Sequence, residues 1–202
     1  MKPLPFNFYL QDTITVAREL LGKKLVYRQS DGEILSAVIS ETEAYLGVED
    51  PACHSYNHRR TARTETMYLS GGHSYIYFIY GMHFCFNVVT GTTQEPEAVL
   101  IRGALPLSGI EQMKKRRPKA RSPQDLLNGP AKLCQALGLN RAHNGLSLLQ
   151  GDLVIADHQI VKDAEIIATA RIGVDYAGDA AHWPLRFSLL YCPFIGGLYA
   201  NP

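Results

Sequence analysis

Glu41 and Glu43, in Glu41-Thr42-Glu43-Ala44-Tyr45, are the residues whose type and spacing most readily suggest chemistry in this 202-residue chain. They close a segment that reads as a strand. Alternate residues of an unbroken strand share a face, which would put Leu35, Ala37, Ile39, Glu41 and Glu43 together. That face begins apolar and ends in two carboxylates. A carboxylate at the mouth of an apolar pocket is partly desolvated, so its pKa rises and it becomes a better general base. A solvated strand end explains the same pattern, and spacing does not choose between the two glutamates.

Other segments could line such a pocket. Tyr75-Ile76-Tyr77-Phe78-Ile79-Tyr80-Gly81-Met82 is rich in aromatic residues. Aromatic strands usually belong to a core, and in an unbroken strand Tyr77 and Tyr80 would point to opposite faces. Gly81 suggests that the strand breaks there and leaves Tyr80 at a turn tip, where a rigid ring is suited to wedging into a base stack. Asn87, in Cys85-Phe86-Asn87-Val88, is an amide in an apolar strand and must find hydrogen bonds, either as structural support or in reading a ligand. Leu100 and Arg102 share a strand face. An isolated Arg beside an apolar contact can be structural, or can pair with a carboxylate or a phosphate.

These residues need elements to position them. Asp12 or Thr13 caps a short helix running to Leu21, with Gly22 as its stop. Lys24–Gln29 and Glu33–Tyr45 read as a hairpin turning at Ser30-Asp31-Gly32. Residues 46–70 read as a long functional loop with one short helical turn. Ser74–Ile79, His83–Thr90 and Glu97–Arg102 read as strands, followed by a basic loop over about 111–127. Pro130 starts a helix that Gly138 ends. Leu153–Ala156, Ile166–Arg171 and Leu185–Tyr191 are late strands, and the tail from Pro193 is expected on the surface. Turns rather than helices join most strands. The expectation is a single compact α+β domain over 1–202, with a mixed, largely antiparallel β-sheet and peripheral helices.

Composition bounds the class. Hydrophobic residues make up 46% and charged residues 19%, as in a globular domain. No apolar run approaches the roughly 18 residues of a membrane span, and the N-terminal residues lack a secretory apolar core. The expected location is the cytoplasm or the compartment that holds DNA (nucleoid or nucleus), with no membrane partner. Cys53, Cys85, Cys134 and Cys192 form no CxxC pair and read as reduced thiols. Net charge is only +1, yet basic residues cluster in His58-Arg59-Arg60-Thr61-Ala62-Arg63 and in Lys114-Lys115-Arg116-Arg117-Pro118-Lys119-Ala120-Arg121. Either run alone could be a solvated loop. Together they suggest a basic face, with Arg59, Arg60, Lys114, Lys115, Arg116 and Arg117 as candidates to neutralise phosphates.

Taken in register, Glu41–Gly47, Glu49-Asp50, His54-Ser55, Tyr77–Met82, Phe84–Asn87, Leu100–Ala104, Asn128–Leu133 and Arg171–Val174 resemble the alkyladenine (3-methyladenine) DNA glycosylase family. The similarity runs from about Leu20 to Phe187. It implies one compact domain that bends double-stranded DNA at the minor groove and cuts alkylated or deaminated purines from the sugar. A monomer is expected, and so is simple hydrolysis, because no lysine in these motifs is placed as an amine nucleophile. By this resemblance Glu43 holds and deprotonates the attacking water. Arg102 positions that water and a phosphate. Tyr45 and Tyr77 sandwich the flipped base, and His54 meets its edge or its 5′ phosphate. Asn87 excludes guanine by crowding its amino group, Leu100 lines the pocket, and Tyr80 fills the gap in the duplex. Cys53, His83 and the stretch Trp183–Phe187 depart from the family pattern. No metal-ligand spacing and no phosphate-cradling glycine loop occurs, so no metal and no cofactor is expected. A non-catalytic damaged-DNA-binding protein on the same scaffold is the main competing reading, although such a protein could dispense with Glu43. Hydrolysis of free nucleosides is another, and it would not need the basic runs.

Overall fold

The structure, a computed structural model, describes residues 2–192 and 197–198. The segments of alternating burial pair into an eight-stranded sheet in which every pairing among the described residues is antiparallel. β1 (Lys24–Arg28) and β2 (Ile34–Tyr45) form the first hairpin. Gly32 supplies the left-handed residue of its turn, at φ +85°. β3 (Ser74–Ile79), β4 (His83–Thr90) and β5 (Glu97–Ser108) follow as a meander, and β6 is Leu153–Ala156. The order across the sheet is β3-β4-β5-β2-β1-β6. β7 (Ile166–Thr169) pairs with β8 (Arg186–Leu189), and β8 pairs with β2. β2 therefore has β5 along one edge, while its other edge meets β1 over residues 34–38 and β8 over residues 41–43.

Helices cover one face of the sheet. α1 (Thr13–Glu19) starts where the Asp12 carboxylate accepts from the N–H groups of Ile14 and Thr15. α3 (Pro130–Leu137) has Pro130 at its start and ends at Gly138, whose φ of +77° closes the last turn. Val16 and Ala17 of α1 and Leu133 and Leu137 of α3 are buried in one core with Leu35, Ile39, Phe86 and Ile101 of the strands. Helices on one face of an antiparallel sheet make the α+β architecture that the order of elements implied.

Some segments differ from expectation. The basic stretch expected as a loop over 111–127 begins as a helix, α2 (Ile110–Arg116). Its apolar signal is only an i, i+3 pair: Ile110 packs against the core and Met113 lies within it. The charges around that pair hide a helical stripe. β5 continues to Ser108 instead of stopping at Arg102. Residues 46–70 hold three short 3-10 turns, Gly47–Glu49, Tyr56–His58 and Glu65–Tyr68, where one turn was expected. Cys53, Cys85 and Cys134 are buried free thiols. The Cys192 side chain and the tail expected on the surface from Pro193 lie outside the described residues, apart from a short pairing of 197–198 with 191–192.

The parity expected for β2 fails midway, with consequences for the site. Ile39 pairs with Ala104 and Glu41 with Gly103, so Ser40 has no partner on β5. Glu41 pairs with Gly103 and Thr42 with Ile101, so Arg102 has none on β2. Two opposed single-residue bulges thus sit side by side, and a bulge re-aims the residues beyond it. Leu35, Ala37 and Ile39 face the helix-covered core. Beyond the bulge that face is taken by Thr42, which bonds the Ala17 carbonyl of α1, and by Ala44. Glu41 and Glu43 turn to the opposite face.

Candidate active site

The face opposite the helices carries a cavity of about 510 Å³. Alternation along three neighbouring strands builds it. Tyr75 and Tyr77 of β3, Cys85 and Asn87 of β4, and Ala98, Leu100 and Arg102 of β5 line it, while Ile76, Phe86, Val88, Val99 and Ile101 between them enter the core. The end of β2 adds Glu43 and Tyr45, the 46–70 loop adds His54 and Arg63, and the segment after β7 adds Ile172, Val174 and Tyr176. All seven residues expected in catalysis or base binding (Glu43, Arg102, Tyr45, His54, Tyr77, Asn87 and Leu100) therefore meet in one space.

The two glutamates separate here. Glu41 does not line the cavity, and its Oε1 accepts from Arg102 Nε at 3.0 Å and Arg186 Nη1 at 2.9 Å. Glu43 lines it and is fully buried. Its Oε2 accepts from the Tyr45 hydroxyl at 2.8 Å and its Oε1 from the Ile172 N–H at 2.9 Å, with Arg102 Nη1 3.5 Å from Oε1. Burial pushes the Glu43 carboxyl above the ordinary range, and Arg102 and the two donated hydrogen bonds oppose that rise. The result is a carboxylate of increased basicity, held by both oxygens.

His54 is tied to the wall. Its Nδ1 lies 2.9 Å from the Tyr75 hydroxyl, and its ring meets that of Tyr77 edge-on at 4.6 Å between centres. Burial, aided by the positive charges of Arg63 and Arg59, lowers its pKa to about 4, so the ring is neutral at physiological pH. The Arg63 guanidinium lies over the Tyr77 ring, 4.9 Å from its centre. Asn87 donates from Nδ2 to the Tyr75 carbonyl, which fixes its amide while it faces the cavity. Cys53 lines the cavity, so this departure from the family pattern touches the site, whereas His83 is not among the lining residues.

Tyr80 stands at the rim and is 86% exposed. Its φ is +51° and that of Gly81 +69°, and the Met82 N–H bonds the Ile79 carbonyl. Two successive positive φ values are the signature of a type I′ hairpin turn. A tyrosine in the left-handed region costs about 1–2 kcal/mol, and glycine beside it bears the same geometry freely. The turn thus holds an aromatic ring outside the fold at an energetic cost.

The basic residues divide. Arg59 and Arg63 are exposed beside His54. Arg60 instead pairs with Glu65 and lies over Tyr68. Arg116 donates to the Ala136 carbonyl and to the Gln29 side chain, and Arg117 to the carbonyls of Asp125 and Leu126. Lys114 and Lys115 are exposed, Lys114 beside Glu111. Reasoning from the sequence did not single out Arg63, Tyr75 or Tyr176, nor the buried pair of Asp50 and Arg171, whose guanidinium lies over Tyr45. Arg63 was visible only as one member of a basic run. Asp50 and Arg171, 121 residues apart, carried no local signal of pairing.

The chain matches the family model described as methylpurine-DNA glycosylase (MPG) over residues 7–193. A protein of Bdellovibrio bacteriovorus is 54% identical over 189 residues, covering 92% of this chain and 94% of its own. A protein of Desulfitobacterium hafniense is 46% identical over 94% of this chain and 96% of its own. One of Bacillus cereus strain G9842 is 46% identical over 95% and 97%. All three bear the name "Putative 3-methyladenine DNA glycosylase". With the match spanning nearly the whole length, this chain belongs to the methylpurine-DNA glycosylase family.

Proposed function

We propose that this protein is a monofunctional DNA glycosylase that hydrolyses the N-glycosidic bond of alkylated or deaminated purines flipped out of double-stranded DNA. The observation that carries this reading is Glu43, a fully buried carboxylate at the wall of an aromatic-lined cavity, with a guanidinium 3.5 Å away. Flipping a base costs a few kcal/mol, and less for a damaged pair. Tyr45 and Tyr77 offset part of this by stacking, at roughly 1–3 kcal/mol per ring. Tyr80 enters the gap in the duplex, from a turn that already holds it outside the fold.

Glu43 takes a proton from water as the water oxygen bonds C1′ and the bond from C1′ to the base nitrogen breaks, its electron pair leaving with the base. An alkylated purinium departs neutral, and hypoxanthine departs as an anion that takes a proton from solvent. The sugar passes through an oxocarbenium-like state, by analogy with glycoside hydrolysis, and the nearby carboxylate lowers its energy. No lysine is among the described residues lining the cavity, which favours water over an amine as nucleophile and an abasic site without strand cleavage. Asn87, tethered to Tyr75, crowds the exocyclic amino group of guanine. Arg59 and Arg63 engage phosphates beside the mouth, as a single molecule binds its duplex.

The test uses a duplex containing hypoxanthine or 3-methyladenine, treated with alkali to reveal abasic sites. In Glu43→Gln both hydrogen bonds can persist, since the amide oxygen accepts from Ile172 and the amide nitrogen donates to Tyr45. The variant should bind damaged duplex and excise about 10²–10⁴-fold more slowly. Near-normal excision rejects Glu43 as the base, and wild-type binding without product leaves a damage-binding protein. Because burial disfavours the charged form of Glu43, the native state is less stable above the ordinary carboxylate pKa than it would be with a neutral group. Glu43→Gln should therefore melt higher than wild type at pH 7, and the gain should vanish below about pH 4.5.

A further inference from the structure

Next to Tyr45 lies an ion pair whose two side chains are both fully buried, Arg171 and Asp50. Arg171 Nη1 donates to Asp50 Oδ2 at 2.5 Å and to the Ala44 carbonyl at 2.9 Å. Nη2 donates to Asp50 Oδ1 at 2.9 Å and to the Ala180 carbonyl at 3.2 Å. Asp50 also accepts from the N–H groups of Leu46 and Ala52. The pair thus ties together the end of β2, the start of the 46–70 loop and the segment that follows β7. A pair so fully removed from water is rarely more stabilising than apolar residues of the same shape. Two contacts give it another role. The guanidinium lies over the Tyr45 ring, 4.8 Å from its centre. The next residue along the chain, Ile172, gives its N–H to Glu43.

The geometry points to Arg171, braced by Asp50, as a positioning residue for the excision reaction proposed above, on which this inference rests. Arg171 touches neither the cavity nor the reacting atoms. It acts by fixing the Ile172 N–H on Glu43 and the Tyr45 ring beside it. The carboxylate then stays ionised and aimed, and Tyr45 stays a fixed wall for the extruded base. Bidentate geometry suits this task, because a guanidinium fork sets orientation as well as distance, which an ammonium cannot do.

The charged and titratable groups around Glu43 are Glu41 and Tyr45 on its own strand, Arg102 on β5 and Cys85 on β4. Arg186 on β8 acts through Glu41, and Arg171 lies in the segment that donates the Ile172 N–H. Loss of that donated bond and of the nearby cation disfavours the ionised carboxylate. The acid limb of the rate profile should then move to higher pH.

The experiment is single-turnover excision from a hypoxanthine duplex across pH, with melting and damaged-duplex binding measured on the same proteins. Joint replacement Asp50→Asn with Arg171→Met removes both charges at once and strands neither. This variant should stay folded, melting several degrees below wild type because the Ala44 and Ala180 carbonyls each lose a donor, and excise at least about tenfold more slowly at pH 7. Its acid limb should lie at higher pH, and its affinity should change less than its rate. Arg171→Lys keeps the charge but loses the fork, and should show an intermediate loss with the same direction of shift. Wild-type rate and acid limb in either folded variant overturn the inference. Failure of both variants to fold assigns the pair to stability alone and overturns it as well. Wild-type protein inactive on hypoxanthine and 3-methyladenine duplexes strikes instead at the excision reading, and needs no substitution to be seen.

Discussion

Beside the cavity mouth, Arg63 lies over the Tyr77 ring and Arg59 stands near enough to His54 to disfavour its protonation, both side chains being exposed. On and just after α2, Arg116 and Arg117 point their donors at backbone carbonyls of the 3-10 turn before α3 and of α3 itself. As strings of letters the two basic runs look alike. In the fold, the arginines of the first at positions 59 and 63 are exposed, Arg63 with a 3.4 Å contact to the His54 ring nitrogen, while those of the second at 116 and 117 close hydrogen bonds to backbone carbonyls within the protein. Charge density along a sequence therefore says little about phosphate binding until the donors have been accounted for.

Substitution can break this contrast, and the largest effect is expected in the second run. Replacing Arg116 and Arg117 together by Met strands several partly buried acceptors, at about 1–3 kcal/mol each where no water reaches them. The melting temperature should fall by on the order of 5 °C or more, with the salt dependence of DNA binding unchanged. A normal melting point with a weakened salt dependence would reverse the assignment.

The next effect concerns His54. Its folded pKa of about 4 lies below the ordinary 6.5, so the unfolded chain binds its proton first as pH falls. Between these two values, wild type should lose roughly 2–3 kcal/mol more stability than a His54→Gln protein, which cannot titrate there. Equal acid sensitivity in the two proteins would show that His54 is not held neutral.

Arg59→Gln with Arg63→Gln should leave the melting point alone. It should weaken duplex binding about tenfold at low salt and reduce the salt slope by nearly 2. An unchanged slope would move the phosphate contacts elsewhere. The smallest effect is expected for Lys114→Ala. That exposed i, i+3 pair with Glu111 should contribute less than about 0.5 kcal/mol, so a melting shift above 2 °C would contradict it.

Local signals were legible in the sequence where one residue suffices to impose a geometry. Asp12 as a cap, Gly32 in a hairpin turn, Gly138 as a helix stop and Tyr80 at an exposed tip all follow from single-residue chemistry. The strands β3 and β4 were readable to the residue from alternation and turn residues. What stayed hidden depends on pairing across distance. Strand parity in β2 assumes a regular ladder, and nothing in Ile39-Ser40-Glu41 announces a bulge. The choice of Glu43 over Glu41 needed Arg102 and Arg186 to be seen on Glu41. The resemblance named Glu43, but the residues alone left the two glutamates level.

The paired irregularity at Ser40 and Arg102 has a bearing on how this chain can change over generations. Surface loops gain or lose residues with little penalty, and loss of Ser40, the extra residue of the bulge, would leave Ile39 and Glu41 on opposite faces as they are now, whereas loss of a paired residue such as Thr42 would turn everything after it to the other face. Glu43 would then be driven into the helix-covered core, and Ala44 would take its place at the cavity. Away from that bulge, lineages can therefore explore this strand by exchanging one side chain for another, while its length is frozen.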